Sequence, residues 1–172
     1  MRRRVRLLEH ADAEPIAELL RANDAFLAPW SPLRGSEYAT AEGQRAEVDS
    51  ALACYAGGDG LPLVILDDDE DVVGRLTLSG IVRGAFDSGT LGYWLAESST
   101  GQGFATQAVR DALALAFTDL GLHRVQAGTL LHNVASQRVL GKCGFEQFGL
   151  APRYLKIAGR WQDHLLFQKL DE

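Results

Sequence analysis

Residues 92–109 read GYWLAESSTGQGFATQAV, and the fold turns on how this run divides. Thr90 to Ala96 is short, apolar and aromatic, as a strand would be. Residues 97–103, ESSTGQG, make a loop of small residues. From Phe104 to Leu120 apolar residues return at helical spacing, with Ala105, Ala108, Val109, Ala112, Leu113, Leu115, Ala116 and Phe117 on one broad face. A strand, a glycine loop and the mouth of a long helix therefore meet within a few residues. Glycine lets main-chain N–H groups turn toward a ligand with no side chain in the way. The helix terminus adds about half a positive charge at the same point. Donors of this kind can cradle a diphosphate without a lysine.

Outward from this centre the pattern is mixed. Downstream, His123 to Leu130 reads as a strand, and Asn133 as the N-cap of a short helix that ends near Cys143 with Gly144 at C′. FEQFGLAPRYLKI, the turn AGR and WQDHLLFQKL then form a hairpin. Upstream, Val5 to Leu8 reads as a first strand and about Ala11 to Asn23 as a helix, with Pro15 in its first turn. The two prolines of AFLAPWSPL argue for an irregular stretch. A second helix runs from about Thr40 to Ala56 and stops at Gly57, Gly58 and Gly60. LPLVIL, the acidic turn DDDED and VVGRLTLSGIV complete a further hairpin. The order is that of one mixed α/β domain over residues 1–172, with a ligand expected where the central strand, loop and helix converge.

Composition narrows the function. The chain has 172 residues, 47% hydrophobic and 23% charged, an ordinary globular balance. No apolar run reaches the roughly 18 residues of a membrane span, and the polar continuation of MRRR does not suit a signal peptide, so a cytoplasmic location and no membrane partner are expected. Cys54 and Cys143 have no metal-ligand spacing and read as reduced, partly buried thiols. No metal is expected. A net charge of −6 argues against nucleic acid and suits a cationic acceptor such as an amine.

Three phosphate-binding classes compete for the glycine loop. A P-loop needs GxxxxGK followed by Ser or Thr, which this chain lacks. A dinucleotide fingerprint needs a third glycine or an alanine where Thr106 stands, and an acid at the end of the next strand, which here closes on Gly128, Thr129 and Leu130. The third class is the coenzyme A loop of acetyltransferases. GYWLAESSTGQGFATQAV resembles motif A of the GNAT acetyltransferase superfamily, Gly103 and Ala105 matching its last two key positions and Thr100 departing from the first. HRVQAGTLLHNVASQRVLGKCGFEQFG resembles the RimJ/RimL branch through Asn133, Ser136, Lys142, Gly144 and Phe145. AFLAPWSP, IVRGAF and YLKIAGRWQDHLLF are similar to segments of the RimJ type, N-acetyltransferases of a ribosomal-protein alanine.

The resemblance implies a GNAT fold: a twisted, mixed, mostly antiparallel sheet with splayed central strands, flanked by helices. It implies acetyl-CoA as cosubstrate. The pantetheine arm would lie along Tyr93, Trp94, Leu95 and Ala96, with N–H near Leu95 polarising the thioester carbonyl. The diphosphate would sit on Thr100, Gly101, Gln102, Gly103, Phe104, Ala105 and Thr106. Ser136 would hydrogen-bond and protonate the leaving sulfur, Asn133 would touch the pantetheine, and Arg138 and Lys142 would meet the CoA phosphates. Trp30, Tyr93 and Tyr154 would line the acceptor pocket. Glu97, His132, Asp163 and His164 are all candidates for the general base, and none is singled out by its sequence position. Three functions follow: acetylation of a protein N-terminus starting with Ala or Ser, acetylation of a small-molecule amine or antibiotic, or CoA binding without turnover. The protein would be a monomer or homodimer.

Overall fold

The computed structural model describes residues 3–171; Met1, Arg2 and Glu172, the ends of the unit read over residues 1–172, lie outside them. In chain order the elements are β1 Val5–Leu7, α1 Ala13–Ala22, α2 Asp24–Leu27, α3 Ala41–Ala56, β2 Gly60–Leu66, β3 Val72–Val82 and β4 Ser88–Leu95. Then follow α4 Phe104–Ala114, β5 Arg124–Leu130, α5 Val134–Lys142, β6 Glu146–Ile157 and β7 Arg160–Leu170. The strands form one seven-stranded sheet in the order β1-β2-β3-β4-β5-β7-β6. Every neighbouring pair is antiparallel except β4 and β5.

Two apolar layers sandwich this sheet. Leu63, Ile65, Leu76, Leu78 and Leu91 pack with Ala108, Val109, Ala112 and Leu140 from α4 and α5. On the opposite face Val64 and Leu66 pack with Leu8, Ile16 and Val48 from the α1 and α3 side. This explains why LPLVIL is continuously apolar: β2 is buried on both faces along its length. The acidic turn closes on itself, Asp67 Oδ1 accepting from the N–H groups of Asp69 and Asp71 at 3.0 Å.

The central feature is a failure of pairing. Parallel β4 and β5 are matched only through Ser88–Arg124, Gly89–Val125 and Thr90–Gln126. Beyond that point the strands part, leaving Leu91–Leu95 of β4 and Ala127–Leu130 of β5 with no sheet partner on the facing side. The splayed mixed sheet is the expected one.

Three local expectations need correction. AFLAPWSPL is not irregular throughout: α2 and a tight helical turn over Ala28–Trp30 occupy most of it. Pro29 sits in that turn's first residues, where no N–H is required. The long helix does not keep α geometry to Leu120; it widens over Leu115–Asp119, where the Leu120 N–H reaches Leu115 O at 3.0 Å. Cys143 is buried but Cys54 is exposed, on the outer side of α3. Among the described residues no helix is long and apolar enough to cross a membrane.

Gly74 fixes the approach of β3 to β4. It pairs with Leu95, and a Cβ there would lie 2.2 Å from Trp94 O and 3.0 Å from Leu95 Cα. Gly74→Ala must displace the strand that borders the opening. Urea unfolding should show a loss of about 1–3 kcal/mol, the scale of overpacking. Gly92→Ala, whose added carbon meets nothing within 4 Å, should stay within about 0.5 kcal/mol of the parent.

Candidate active site

Where β4 and β5 separate, a cavity of about 460 Å³ opens through the sheet. Its walls include Leu91 to Trp94 of β4, Ala127 to Leu130 of β5, Asn133 and Ser136 of α5, and Trp30 from the turn after α2. The β4 main chain has a definite polarity here. Ala96 N–H donates to Val73 O of β3 at 2.8 Å. By the alternation of an antiparallel ladder, Trp94 also faces β3, and Tyr93 and Leu95 turn their N–H and C=O groups into the opening. Of the expected Trp94, Leu95 and Ala96, only Leu95 therefore has a main-chain donor directed there, and Tyr93 supplies the other.

The loop before α4 presents a second set of donors. Gly101 and Gly103 have φ of 75° and 87°, a left-handed conformation that disfavours a side chain, and a Cβ at either would meet nothing within 4 Å. The N–H groups of Gly101, Gln102 and Gly103, and those of Phe104, Ala105 and Thr106 in the first helical turn, have no acceptor among the described residues. The loop's polar side chains are turned back onto it. Thr100 Oγ1 donates to Glu97 O at 2.7 Å, and Gln102 Nε2 to Ser98 O at 2.9 Å. The Thr100 hydroxyl proton is thus already used, and the free donors are main-chain ones. Arg138 and Lys142 are exposed on α5.

Inside the cavity the Tyr93 and Ser136 hydroxyls share a 2.8 Å hydrogen bond. Asn133 Oδ1 accepts from Ser136 N–H at 3.1 Å, so the N-cap sets the position of the serine. Burial pushes the Tyr93 phenol up to about 12, against a smaller downward pull from Ser136. Thr129, 3% exposed, also borders the cavity, and its hydroxyl has no partner. An orphaned buried hydroxyl costs about 1–3 kcal/mol unless something fills the site, so the lining fits a bound polar group such as an amide.

The far side of the opening differs. Trp30 packs at a tilt against His132, with ring centroids 5.3 Å apart. Arg34, Tyr38, Glu47 and Arg75 line the same cavity, and burial draws the Arg75 guanidinium below its ordinary value. Sequence reading missed these four. For Arg75 alone a signal exists, in β3, where Arg75, Thr77 and Ser79 alternate with buried Leu76 and Leu78. That alternation reads as a solvent face, yet all three polar residues border the cavity. Tyr154 rests on the His164 ring at 5.7 Å, beside the cavity, half-exposed.

The four candidate bases separate. Glu97 and His132 are exposed. Asp163 Oδ1 accepts from Arg153 N–H at 2.8 Å and serves β6. His164 is 3% exposed and lines the cavity.

Comparison with known proteins agrees with this architecture. Residues 2–146 match the profile of the acetyltransferase (GNAT) domain. The chain is 37% identical over 161 residues to the probable N-acetyltransferase YjcK of Bacillus subtilis, covering 93% of this chain and 89% of that protein. It is 32% identical over 163 residues to the [ribosomal protein uS5]-alanine N-acetyltransferase of Escherichia coli, covering 94% and 84%. The structure of Mycobacterium smegmatis RimJ in complex with CoA-disulfide superposes with a TM-score of 0.92 at 34% identity, covering 96% of this chain and 80% of that one.

The Tyr93 environment has a consequence for alkaline stability. Its phenol titrates near 10.0 when free and about 12 in the fold. The stabilisation is complete below pH 10 and is lost as pH rises toward 12. The loss is on the order of 2–3 kcal/mol. Urea unfolding at stepped alkaline pH should show a steeper decline for the parent than for Tyr93→Phe.

Proposed function

The chain belongs to the GNAT acetyltransferase family, and on that premise we propose that it transfers the acetyl group of acetyl-CoA to the N-terminal α-amine of a protein. The acceptor class is a ribosomal protein beginning with Ala or Ser, met in the cytoplasm. One observation carries the proposal: the unpaired edge of β4 leads directly to the free N–H groups at the mouth of α4. An arm with amide groups can lie along that edge as a strand would. The diphosphate that follows it meets Gly101 to Ala105 and the helix dipole.

The reaction requires a polarised carbonyl, a neutral amine and a proton for the leaving sulfur. N–H of Leu95 or Tyr93 serves the first need, as a donor fixed by the strand. For the sulfur, the hydroxyl pair can be arranged with Tyr93 as donor to Ser136 Oγ, which leaves the serine proton free to hydrogen-bond the departing thiolate. Burial keeps the phenol protonated across the working pH range. Asn133 holds the start of α5 so that Ser136 stays within reach.

Two features favour a protein acceptor over a small polyamine. The cavity has one carboxylate, Glu47, beside two guanidiniums, Arg34 and Arg75, so it is not the acidic bowl a polycation needs. Its surroundings are apolar and exposed, with Trp30, Leu155 and Leu33 near the mouth, which suits contact with a protein body. An α-amine titrates near about 8, against about 10.4 for lysine, so more of it is neutral at pH 7.

Calorimetry with CoA should give a saturable heat, and its absence would overturn the proposal. Thiol release from acetyl-CoA should depend on Ala- or Ser-starting peptides and fall about 10²-fold in Ser136→Ala. Release driven by spermidine or an antibiotic amine alone would move the acceptor to small molecules. CoA binding with no turnover on any amine would make the protein a non-catalytic CoA-binding one.

A further inference from the structure

We infer that His164 is the general base that removes the proton from the incoming amine; this rests on the acetyl-transfer reading above. The Nδ1 of His164 lies 2.9 Å from Gln162 O. A carbonyl can only accept, so Nδ1 carries the proton in the neutral ring, and Nε2 is left with its lone pair. No partner for Nε2 is found among the described residues. A Cβ built on Gly128 would sit 3.7 Å from His164 Cδ2, the atom bonded to Nε2. The basic edge of the ring is therefore over the unpaired part of β5, on the cavity wall.

The surrounding backbone is shaped around this ring. On β6 the register jumps from Ala151–His164 to Leu155–Gln162, so that extra residues bulge out opposite the histidine. Arg153 in the bulge has φ of 49°, a strained value for a non-glycine residue. Asp163 Oδ1 holds the bulge through Arg153 N–H. The bulge carries Tyr154 onto the ring. Strain placed beside a buried titratable group is what a working site, rather than core packing, would show.

His164 and the hydroxyl pair belong to opposite faces of the sheet. Tyr93 packs with the α4 and α5 layer, whereas His164 is in register with Leu130 and shares a face with Gly128, opposite Thr129. A carbonyl between them would have its attacking nitrogen on one side and its leaving sulfur on the other. From an ammonium, two protons leave nitrogen. The first passes to His164 Nε2 and on to solvent. The second leaves as the N–C bond forms and the C–S bond breaks, and balances the proton taken up by sulfur. The products are an amide, a thiol and one released proton. The titratable groups facing the ring are Tyr154 from β6 and, across the cavity, Arg34, Tyr38, Glu47 and Arg75, with Tyr93 on the β4 wall.

His164→Asn tests the inference, because its side-chain N–H can replace Nδ1 toward Gln162 O while Nε2 is lost. At neutral pH kcat/KM for an α-amine peptide should fall about 10²- to 10³-fold, with CoA affinity and melting temperature unchanged. In the variant the acid limb of kcat/KM should follow the titration of the amine alone, and the deficit should shrink at alkaline pH, where the amine is already neutral. Added imidazole should restore part of the rate in His164→Gly. A variant that melts normally, with parental kcat/KM and pH profile, would overturn the role of His164 alone. A parent that acetylates no amine would overturn both it and the acetyl-transfer reading.

Discussion

Two parallel strands that hydrogen-bond for three residue pairs and then diverge set the terms for everything else in this molecule. Parallel pairing needs a crossover, and here the crossover is the loop and α4, which rise from the end of β4 and return to the start of β5. Once the strands part, main-chain groups on both edges lose their partners, a cost that a folded protein keeps only where something else meets it. The same parting places the N-terminus of α4 at one end of the opening and the N-terminus of α5 along its side. Rigid elements on both flanks, packed into a shared core with Leu91, Val109, Val125 and Leu140, prevent the gap from collapsing.

The division of labour across the gap follows from strand alternation. Tyr93 points to the side of α5, and Arg75, Gly128 and His164 to the other. Hydroxyls that share a proton gather on one side, and an imidazole with an uncommitted nitrogen sits on the other. The charged groups of the opening, Arg34, Glu47 and Arg75, are sparse and partly balanced, despite the chain's net charge of −6.

Much of this was legible in the residues. The glycine loop, the Phe104 helix and the Asn133 cap are local signals, carried by backbone conformations that few residue types satisfy, and all three stand where the spacing puts them. Ser136 stands out only through the resemblance to the RimJ/RimL branch, since a serine in the first turn of a helix is ordinary. The polar face of β3 was not, because alternation says which residues share a face but not what that face meets. His164 could be named but not chosen: its singularity comes from Gln162, Gly128 and a bulge in another strand. The turn at Pro29 was misread because proline excludes the middle of a helix but not its first residues. Residue type suggests a partly buried Cys54, and the orientation of α3 decides otherwise.

One contact near the mouth carries a further meaning. Ala158 and Gly159, both at positive φ, make the tight connection between β6 and β7, and Ala158 N–H donates to Ser31 O at 2.9 Å. Gly159 lies so near Leu33 that a Cβ would come within 2.9 Å of its Cδ1. The segment carrying Trp30 is thus latched to the hairpin on the other side of the cleft, like a strap over a slot. Anything entering the cavity from this side meets a border fixed at two points rather than a free loop.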